Sequence, residues 1–216
     1  MSSPLPCYPN LFRYGQKLGG AYKSTGSISI TPTSSITSNG STNGILGSIR
    51  WTNTDYAIVL QSFAIQLLSA TGYTTAAPAG LAVFKVTGYT AADTGGTDVL
   101  SAFTTPSLTG MPASRVASAS VCVGATAAMT AGTRTIANPM YAVGAWAGTT
   151  PGIIQAGSQY QLSWDNDEPI ILLANEGIEY QIPYGYTIPA AKNFMANIFS
   201  SWVEVPREII YERYGI

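Results

Sequence analysis

The sequence predicts an all-β protein, a single jelly-roll-like β-sandwich with extended N- and C-terminal arms. Three observations support this fold class. Apolar residues recur in short runs, often at period two, and Gly, Pro and Asn separate the runs. Only 10% of the 216 residues are charged, against about 25% in an average soluble domain. The exterior is therefore expected to be covered by uncharged polar side chains or by other subunits.

Three segments are predicted along the chain: an extended N-terminal arm over residues 1–27, a β-sandwich body over 28–205 and a C-terminal tail over 206–216. The first segment mixes Pro and Gly with aromatic rings and has no helix or strand period. Its aromatic content is not typical of a solvated disordered tail, which favours an arm laid along a neighbouring protein. Pro206 ends the last strand, and the charged tail after it is interpreted as a second arm.

Strands are predicted wherever apolar residues alternate between turn residues. In 56–70, residues Ala57, Val59, Phe63, Ile65 and Leu67 would share one strand face, although helical spacing fits this segment too. Residues 193–205 are apolar on both faces, which indicates a core contact on one side and a subunit contact on the other. Residues 125–140 are rich in small side chains and predict turns. The predicted strands are 27–31, 45–51, 56–70, 81–87, 115–124, 159–164, 169–174, 177–182 and 193–205.

Charge and hydropathy argue against two classes of partner. Ten basic and eleven acidic side chains leave a net charge of −1, so neither nucleic acid nor an anionic membrane is expected to bind. The first residues lack the basic and apolar regions of a secretory signal, and no apolar run approaches the ~20 residues of a membrane span. Cys7 and Cys122 are expected to be separate thiols, with a bridge between them as the alternative.

The absence of histidine removes Ser-His-Asp and Cys-His catalysis and the commonest zinc ligand. We therefore predict no enzymatic activity, no cofactor and no metal. The one dense acidic group is Asp165, Asp167 and Glu168. A polar turn explains it best, because Asp and Asn side chains bond their own backbone. A Ca²⁺ site and a glycosidase pair with Glu176 or Glu179 are the alternatives.

Large apolar side chains in the two arms are the candidate partner-binding residues, because aromatic anchors dominate interface energies. A poorly ordered N-terminus is the alternative for the first group, and a helical turn packed on its own domain is the alternative for the second. The many tyrosines could also form a platform that stacks on sugars. The candidates are Tyr8, Phe12, Tyr14 and Tyr22 in the first arm and Ile209, Ile210, Tyr211 and Tyr214 in the second.

Five short motifs occur in a fixed order: GYTAADTGGT at 88–97, MPAS at 111–114, ATAAMTAGT at 125–133, LLANEGI at 172–178 and SWVEV at 201–205. Together they make the chain from about 51 to 205 resemble a family of bacteriophage virion structural proteins, the head decoration, cement or minor capsid proteins. The resemblance implies a jelly-roll protein made in the bacterial host cytoplasm and located on the capsid surface. The implied partners are the major capsid protein and further copies of the chain in a homo-oligomer, for which a trimer is one arrangement.

The expected function is therefore that of a capsid decoration or cement protein, which stabilises the shell through oligomeric and arm-mediated contacts. One alternative is a glycan-binding virion protein, such as a fibre base or head fibre. Another is a component of the neck or vertex. A polysaccharide depolymerase is a further alternative, which would need carboxylates such as Asp165 and Glu176 to face each other across a groove.

Overall fold

A computed structural model describes residues 19–38, 44–68, 73, 77–98, 105–106, 112–117, 121–124, 126–147, 159–163 and 169–216. This part of the chain forms fourteen strands and one helix. They are β1 (Ala21–Ile30), β2 (Ile36–Thr37), β3 (Ile45–Trp51), β4 (Tyr56–Leu68), β5 (Ala77–Tyr89), β6 (Thr97–Asp98), β7 (Thr105–Pro106), β8 (Val121–Val123), β9 (Arg134–Ala147), β10 (Gln159–Ser163), β11 (Ile170–Leu172), β12 (Glu176–Gln181), β13 (Thr187–Ile188), β14 (Phe194–Pro206) and α1 (Arg207–Tyr214).

The longer strands pair in a nested, antiparallel order. β1 pairs with β14, β3 with β12, β4 with both β10 and β11, and β5 with β9. If β10 and β11 are counted as one strand, the first of eight pairs with the eighth, the second with the seventh, the third with the sixth and the fourth with the fifth. This nesting, folded into two sheets, is the jelly roll. The predicted fold class is confirmed.

The two sheets are each six-stranded. Sheet 1 has the order β7-β1-β14-β4, with β10 and β11 both on the far side of β4, and sheet 2 has the order β6-β8-β3-β12-β5-β9. The main core lies between them, where Ile28 and Ile198 of sheet 1 belong to one buried cluster with Val83 and Ile178 of sheet 2. Each sheet therefore has an inner face in this core and an outer face whose covering differs between the two sheets.

A β-bulge at Gln61 divides β4 into two parts. Before the bulge, Ala57 and Val59 lie on the outer face of sheet 1, and after it Ile65 and Leu67 lie in the main core. The helical alternative for this segment is therefore wrong. The prediction of a single shared face is wrong for Ala57 and Val59, because the extra residue reverses the alternation.

Both predicted arms need correction. β1 begins at Ala21 and pairs with β14 over its whole length, so residues 21–27 belong to sheet 1 and not to an extended arm. The C-terminal tail is the helix α1, not an extended segment, and it ends at Gly215, whose φ of 72° suits glycine at a helix C-terminus. Residues 1–18 lie outside the described residues, so an arm there remains a prediction.

Residues 90–133 are the long connection between β5 and β9, and they are an insertion in the nested strand pattern. Its short strands extend both sheets at one edge: β7 pairs with β1, while β8 pairs with β3 and β6 with β8. Of the predicted strand 115–124, residues 115–117 and 121–124 are described, and among these a strand is present at Val121–Val123. We call residues 90–133 the excursion.

The 14-residue strand β9 occupies much of a region where turns were predicted. It pairs with β5 through three register shifts. Small residues have little strand propensity of their own, but pairing with a long neighbour overrides that preference.

Candidate functional site

A buried ionic network lies on the outer face of sheet 2, and we call it network 1. Its centre is Glu179 of β12, which is 0% exposed. The guanidinium of Arg134 forms a bidentate pair with this carboxylate, through Nε to Oε1 and through Nη2 to Oε2 at 2.9 Å. Gln181 Nε2 donates to Glu179 Oε2 at 2.6 Å, and Asp93 Oδ1 lies 3.7 Å from Arg134 Nε. Both oxygens of the buried carboxylate are thus satisfied.

Tyr89 joins this network to the excursion. Its hydroxyl lies 3.0 Å from Oδ2 of Asp93 and 3.0 Å from Oε1 of Glu179, and the Gly132 amide donates to Asp93 Oδ1 at 2.8 Å. Burial and the two carboxylates raise the pKa of Tyr89 well above its usual range. The phenol therefore stays protonated and acts as a hydrogen-bond donor. Because Asp93 and Gly132 lie near the two ends of the excursion, network 1 fixes both ends on sheet 2.

A second buried carboxylate, Glu204 of β14, is the centre of network 2. It is 0% exposed and accepts hydrogen bonds from Ser114 Oγ at 2.6 Å, from the Arg115 amide at 3.0 Å and from Arg115 Nη1 at 2.9 Å. The Arg115 guanidinium also lies over the Tyr56 ring, 3.7 Å from its centroid. Network 2 therefore ties the middle of the excursion to one end of β14.

Tyr22 completes network 2 from inside the sandwich. Its ring is stacked on Trp202 at a centroid distance of 5.8 Å, and its hydroxyl donates to the carbonyl of Pro112 at 3.0 Å. Burial, with the charge of Glu204, raises the pKa of Tyr22 to about 12. Because Tyr22 is 0% exposed, its predicted role as a partner-binding residue is corrected: the ring fills the protein's own core.

The motifs that carry the family resemblance supply most of these contacts. Tyr89 and Asp93 belong to the segment 88–97, Ser114 to 111–114, Gly132 to 125–133 and Glu204 to 201–205. Each of the two central carboxylates, Glu179 and Glu204, is buried and paired with an arginine. The motifs therefore hold the excursion in place, which explains why they contain small and polar residues.

The catalytic alternative names Glu176 and Glu179, and the structure places both of them in ion pairs within the chain. These positions are three apart in β12, so their side chains lie on opposite faces of sheet 2. Glu176 pairs with Lys85 at 3.2 Å, whereas Glu179 is paired in network 1. Asp165, Asp167, Glu168 and Cys7 lie outside the described residues. Within the described residues, no group of three His, Cys, Asp or Glu could hold a metal ion.

A cavity of about 500 Å³ lies beside α1, at the end of the sandwich. Lys85 and Glu176 line it together with Tyr214 and Ile216. Lys85 Nζ donates to the Ile171 carbonyl at 2.8 Å, in addition to the ion pair with Glu176. The charged groups of the cavity thus already have partners within the chain.

The helix α1 packs on the outer face of sheet 1, as the alternative for the second arm expects. Ile210 is 0% exposed and belongs to a small cluster that covers this end of the sheet. Ile209 and Tyr214 pack against the same cluster, whereas Tyr211 is 66% exposed. Ile210 is therefore not available to a partner, and Tyr211 is the most accessible of the four candidates. Tyr8, Phe12 and Tyr14 lie outside the described residues. The buried members of the cluster are Ala21, Ala57, Val59, Ile171, Val203, Val205 and Ile210.

The other end of the outer face of sheet 1 is not covered by α1, and we call it the open face. None of its described side chains is charged, while the backbone register places Lys23 of β1 beside Ser201. Phe199 of the central strand β14 is 37% exposed. The apolar pattern of 193–205 predicted a contact surface here. The open face comprises Ser27, Ser29, Ser62, Ala64, Gln66, Met195, Asn197, Phe199 and Ser201.

The polar side chains of the open face bond one another across the strands. Ser27 Oγ donates to Asn197 Oδ1 at 2.8 Å, and Ser62 and Ser201 share a hydroxyl bond of 2.6 Å. Asn197 Nδ2 also lies 3.5 Å from Gln66 Oε1. The surface is therefore polar in composition, yet several of its polar atoms do not depend on water for a partner.

No protein-family model and no curated protein sequence matches the chain. Among solved structures, the chain is similar to the human polyomavirus 6 VP1 pentamer, at 13% identity and a TM-score of 0.27. That match covers 86% of this chain and 96% of the VP1 chain. The fold assignment rests on the strand pairing described above. In the described part of the chain, no helix has the length and apolar character needed to cross a membrane.

Proposed function

We propose that the protein is a non-enzymatic structural component of a bacteriophage virion, a decoration or cement protein on the capsid surface. The observation that carries this proposal is the open face, an uncovered end of a sheet on which no described side chain is charged and Phe199 is 37% exposed, with Lys23 beside it in the strand register. The jelly-roll body, the 10% charge content and the ordered motifs are consistent with it. Buried polar networks that only fix the chain are what a mechanical role requires.

In this proposal the major capsid protein and further copies of the chain are the partners. A specific interface buries about 1,000 Å² or more, and a few aromatic anchors dominate its energy. The N-terminal residues Tyr8, Phe12 and Tyr14 are proposed anchors on the capsid, and Tyr211 is a further one from α1. Neither nucleic acid nor membrane is a proposed partner.

Quantitative mass spectrometry of purified virions tests the proposal. We expect the protein in virions at a copy number comparable with that of the major capsid protein. A chain that lacks residues 1–18 should fold and bind purified capsids more weakly, because the described sandwich begins at residue 19. Absence from virions would refute the proposal. About a dozen copies or fewer per particle would move the assignment to the neck or vertex.

A glycan-binding role on the virion is the second candidate, and the exposed tyrosines favour it. Tyr184 is 77% exposed and Tyr211 is 66% exposed, and exposed rings can stack on sugars. Saturable binding to a host polysaccharide array, lost when both tyrosines become alanine, would support this role. Binding to capsids without any binding to sugar would exclude it.

A further inference from the structure

We propose that the edge of β9, from Tyr141 to Ala147, accepts an extended segment of the major capsid protein as an additional strand of sheet 2. This inference rests on the proposed function and deepens it, because it assigns a contact on the other sheet and the kind of contact made there. Among the described strands, β9 pairs with β5 alone and lies at the edge of sheet 2. The outward N–H and C=O groups of an edge strand are a template on which another chain can pair.

Length distinguishes β9 from the strands at the other sheet edges. Those edge strands, β6, β7, β10 and β11, have two, two, five and three residues, whereas β9 has 14. Short edge strands are a common protection against pairing with other chains. The described part of the chain thus protects its other edges in this way but leaves β9 long.

The two halves of β9 differ in how they are protected. The three register shifts with β5 all fall in the first half, where Pro139 also has no N–H to donate. Bulges and proline both hinder the addition of a strand. From Tyr141 to Ala147 the pairing with β5 has no shift, and the sequence contains neither a charged residue nor a proline. The second half is therefore the part open to a partner strand.

The register shows which backbone groups of the second half point outward. Opposite residues in an antiparallel pair either bond each other or direct their N–H and C=O groups away from each other. Trp146 lies opposite Pro78, which has no N–H, so this pair is of the second kind. Because the register has no shift between Pro78 and Val83, Gly144 and Ala142 point outward as well.

The strand on the other side of β5 gives the same direction independently. The amide of Ile182 donates to the carbonyl of Gly44, on the β3 side of β12, at 2.9 Å. Its neighbour Gln181 therefore faces β5, where it is opposite Ala82. Since Ala82 directs its backbone groups to β12, Ala142 on its other side directs its own groups to the free edge.

The size of this edge indicates what kind of protein supplies the strand. Seven residues extend about 20 Å, and one added strand covers on the order of 200 Å², against about 800 Å² per partner in a standard interface. Strand addition alone would therefore not hold a partner in solution. A protein that also contacts the chain elsewhere is already at high effective concentration, and the major capsid protein has that position in the proposed function.

Hydrogen exchange followed by mass spectrometry tests this proposal on the full chain, free and bound to purified capsids. The amides of Ala142, Gly144 and Trp146 should exchange readily in the free chain and about tenfold or more slowly on capsids, because they gain hydrogen-bond acceptors. The amides of Ile178 and Tyr180, in the interior strand β12, are the control and should be protected in both states.

Proline substitutions test the same edge by capsid retention. Ala142→Pro and Gly144→Pro each remove an outward N–H, which an edge strand tolerates, and should weaken retention roughly fivefold or more. Ala142→Ser and Gly144→Ala keep the N–H and should be retained as the wild type is. Ala145→Pro removes a donor to β5 instead, so it should lower the melting temperature, whereas the two outward prolines should leave it nearly unchanged.

Exchange that capsids do not slow overturns the proposal, as does retention of both outward proline variants at the wild-type level. If a proline variant does not fold, the exchange of the wild type still decides. Slow exchange of the same amides in the concentrated free chain would assign the edge to a second copy and overturn the capsid protein as its occupant. A wild type that does not bind capsids refutes the proposed function as well, whereas binding with freely exchanging β9 amides refutes strand addition alone.

Discussion

The two outer faces of the sandwich are covered in opposite ways. On the outer face of sheet 2, buried charges of network 1 hold the two ends of the excursion through Asp93 and Gly132. On sheet 1, the helix α1 covers one end by apolar packing, and the open face remains uncharged. Five charged side chains, out of ten basic and eleven acidic ones, are used in the two networks: Asp93, Arg134, Glu179, Arg115 and Glu204. These five buried or half-buried charges fix the chain on itself.

The difference has a physical cause in the local backbone. The described strands of the excursion are two or three residues long, so they contribute few ladder hydrogen bonds, and the side-chain contacts of the networks add to them. The helix α1 is short but apolar on one side, so burial of Ile210 suffices to position it. Substitutions in the two networks, a substitution in α1 and a rise in pH test this difference.

The largest effect is expected for Glu179→Ala in network 1. The change leaves the guanidinium of Arg134, whose side chain is 6% exposed, buried without its bidentate partner. Removing one member of a buried ion pair costs about 3–5 kcal/mol. Chemical denaturation should show this loss in the free energy of unfolding. Glu212→Ala, at an exposed position of α1, is the control and should change the free energy of unfolding little. A loss below about 1 kcal/mol for Glu179→Ala would contradict the structural role of network 1.

Glu204→Ala in network 2 should lower the free energy of unfolding by about 2–3 kcal/mol, which is less than the loss expected for Glu179→Ala. Its partner Arg115 has a side chain that is 25% exposed, so the guanidinium can recover part of its hydration when the carboxylate is removed. The same denaturation experiment measures the effect. Equal or greater destabilisation by Glu204→Ala than by Glu179→Ala would reverse the ranking of the two networks.

Ile210→Ala tests how α1 covers sheet 1. It should lower the free energy of unfolding by about 2 kcal/mol, which is at the lower end for an Ile-to-Ala change because the cluster is small and lies at the end of the sheet. Protease digestion should then release α1 before the body unfolds. Tyr211→Ala, on the exposed side of the same helix, should leave both readouts unchanged. If the two variants behaved alike, α1 would not be held by Ile210.

A rise to alkaline pH reports on the tyrosines of the core. Burial raises the pKa of Tyr22 and of Tyr73 to about 12, above the ordinary value of about 10. Their folded state therefore holds the phenolic proton more tightly than the unfolded state does. The stability from this difference is complete below pH 10 and is lost as pH rises from 10 to 12.

Unfolding free energies measured across this range should fall, and Tyr22→Phe should have a shallower fall than the wild type. A slope that the substitution leaves unchanged would show that Tyr22 titrates normally.

Apolar-rich segments between turn signals could be predicted from the sequence as strands, such as Ile45–Trp51, whose bounds the structure reproduces. β9 could not, because its small residues have little strand preference and pairing with β5 determines its conformation. The bulge at Gln61 and the stacking of Tyr22 on Trp202 likewise depend on partners distant in sequence. The networks join residues up to 90 positions apart. The ordered motifs contain several members of the networks, but local sequence does not indicate which carboxylate meets which arginine.

The most direct test of the account is a reconstruction of the virion by electron cryomicroscopy, at a resolution that places the chain. We expect many copies on the outside of the shell, with the open face of sheet 1 against another protein and network 1 still buried on the outer face of sheet 2. Copies whose open face is exposed to solvent while sheet 2 makes the contacts would contradict it.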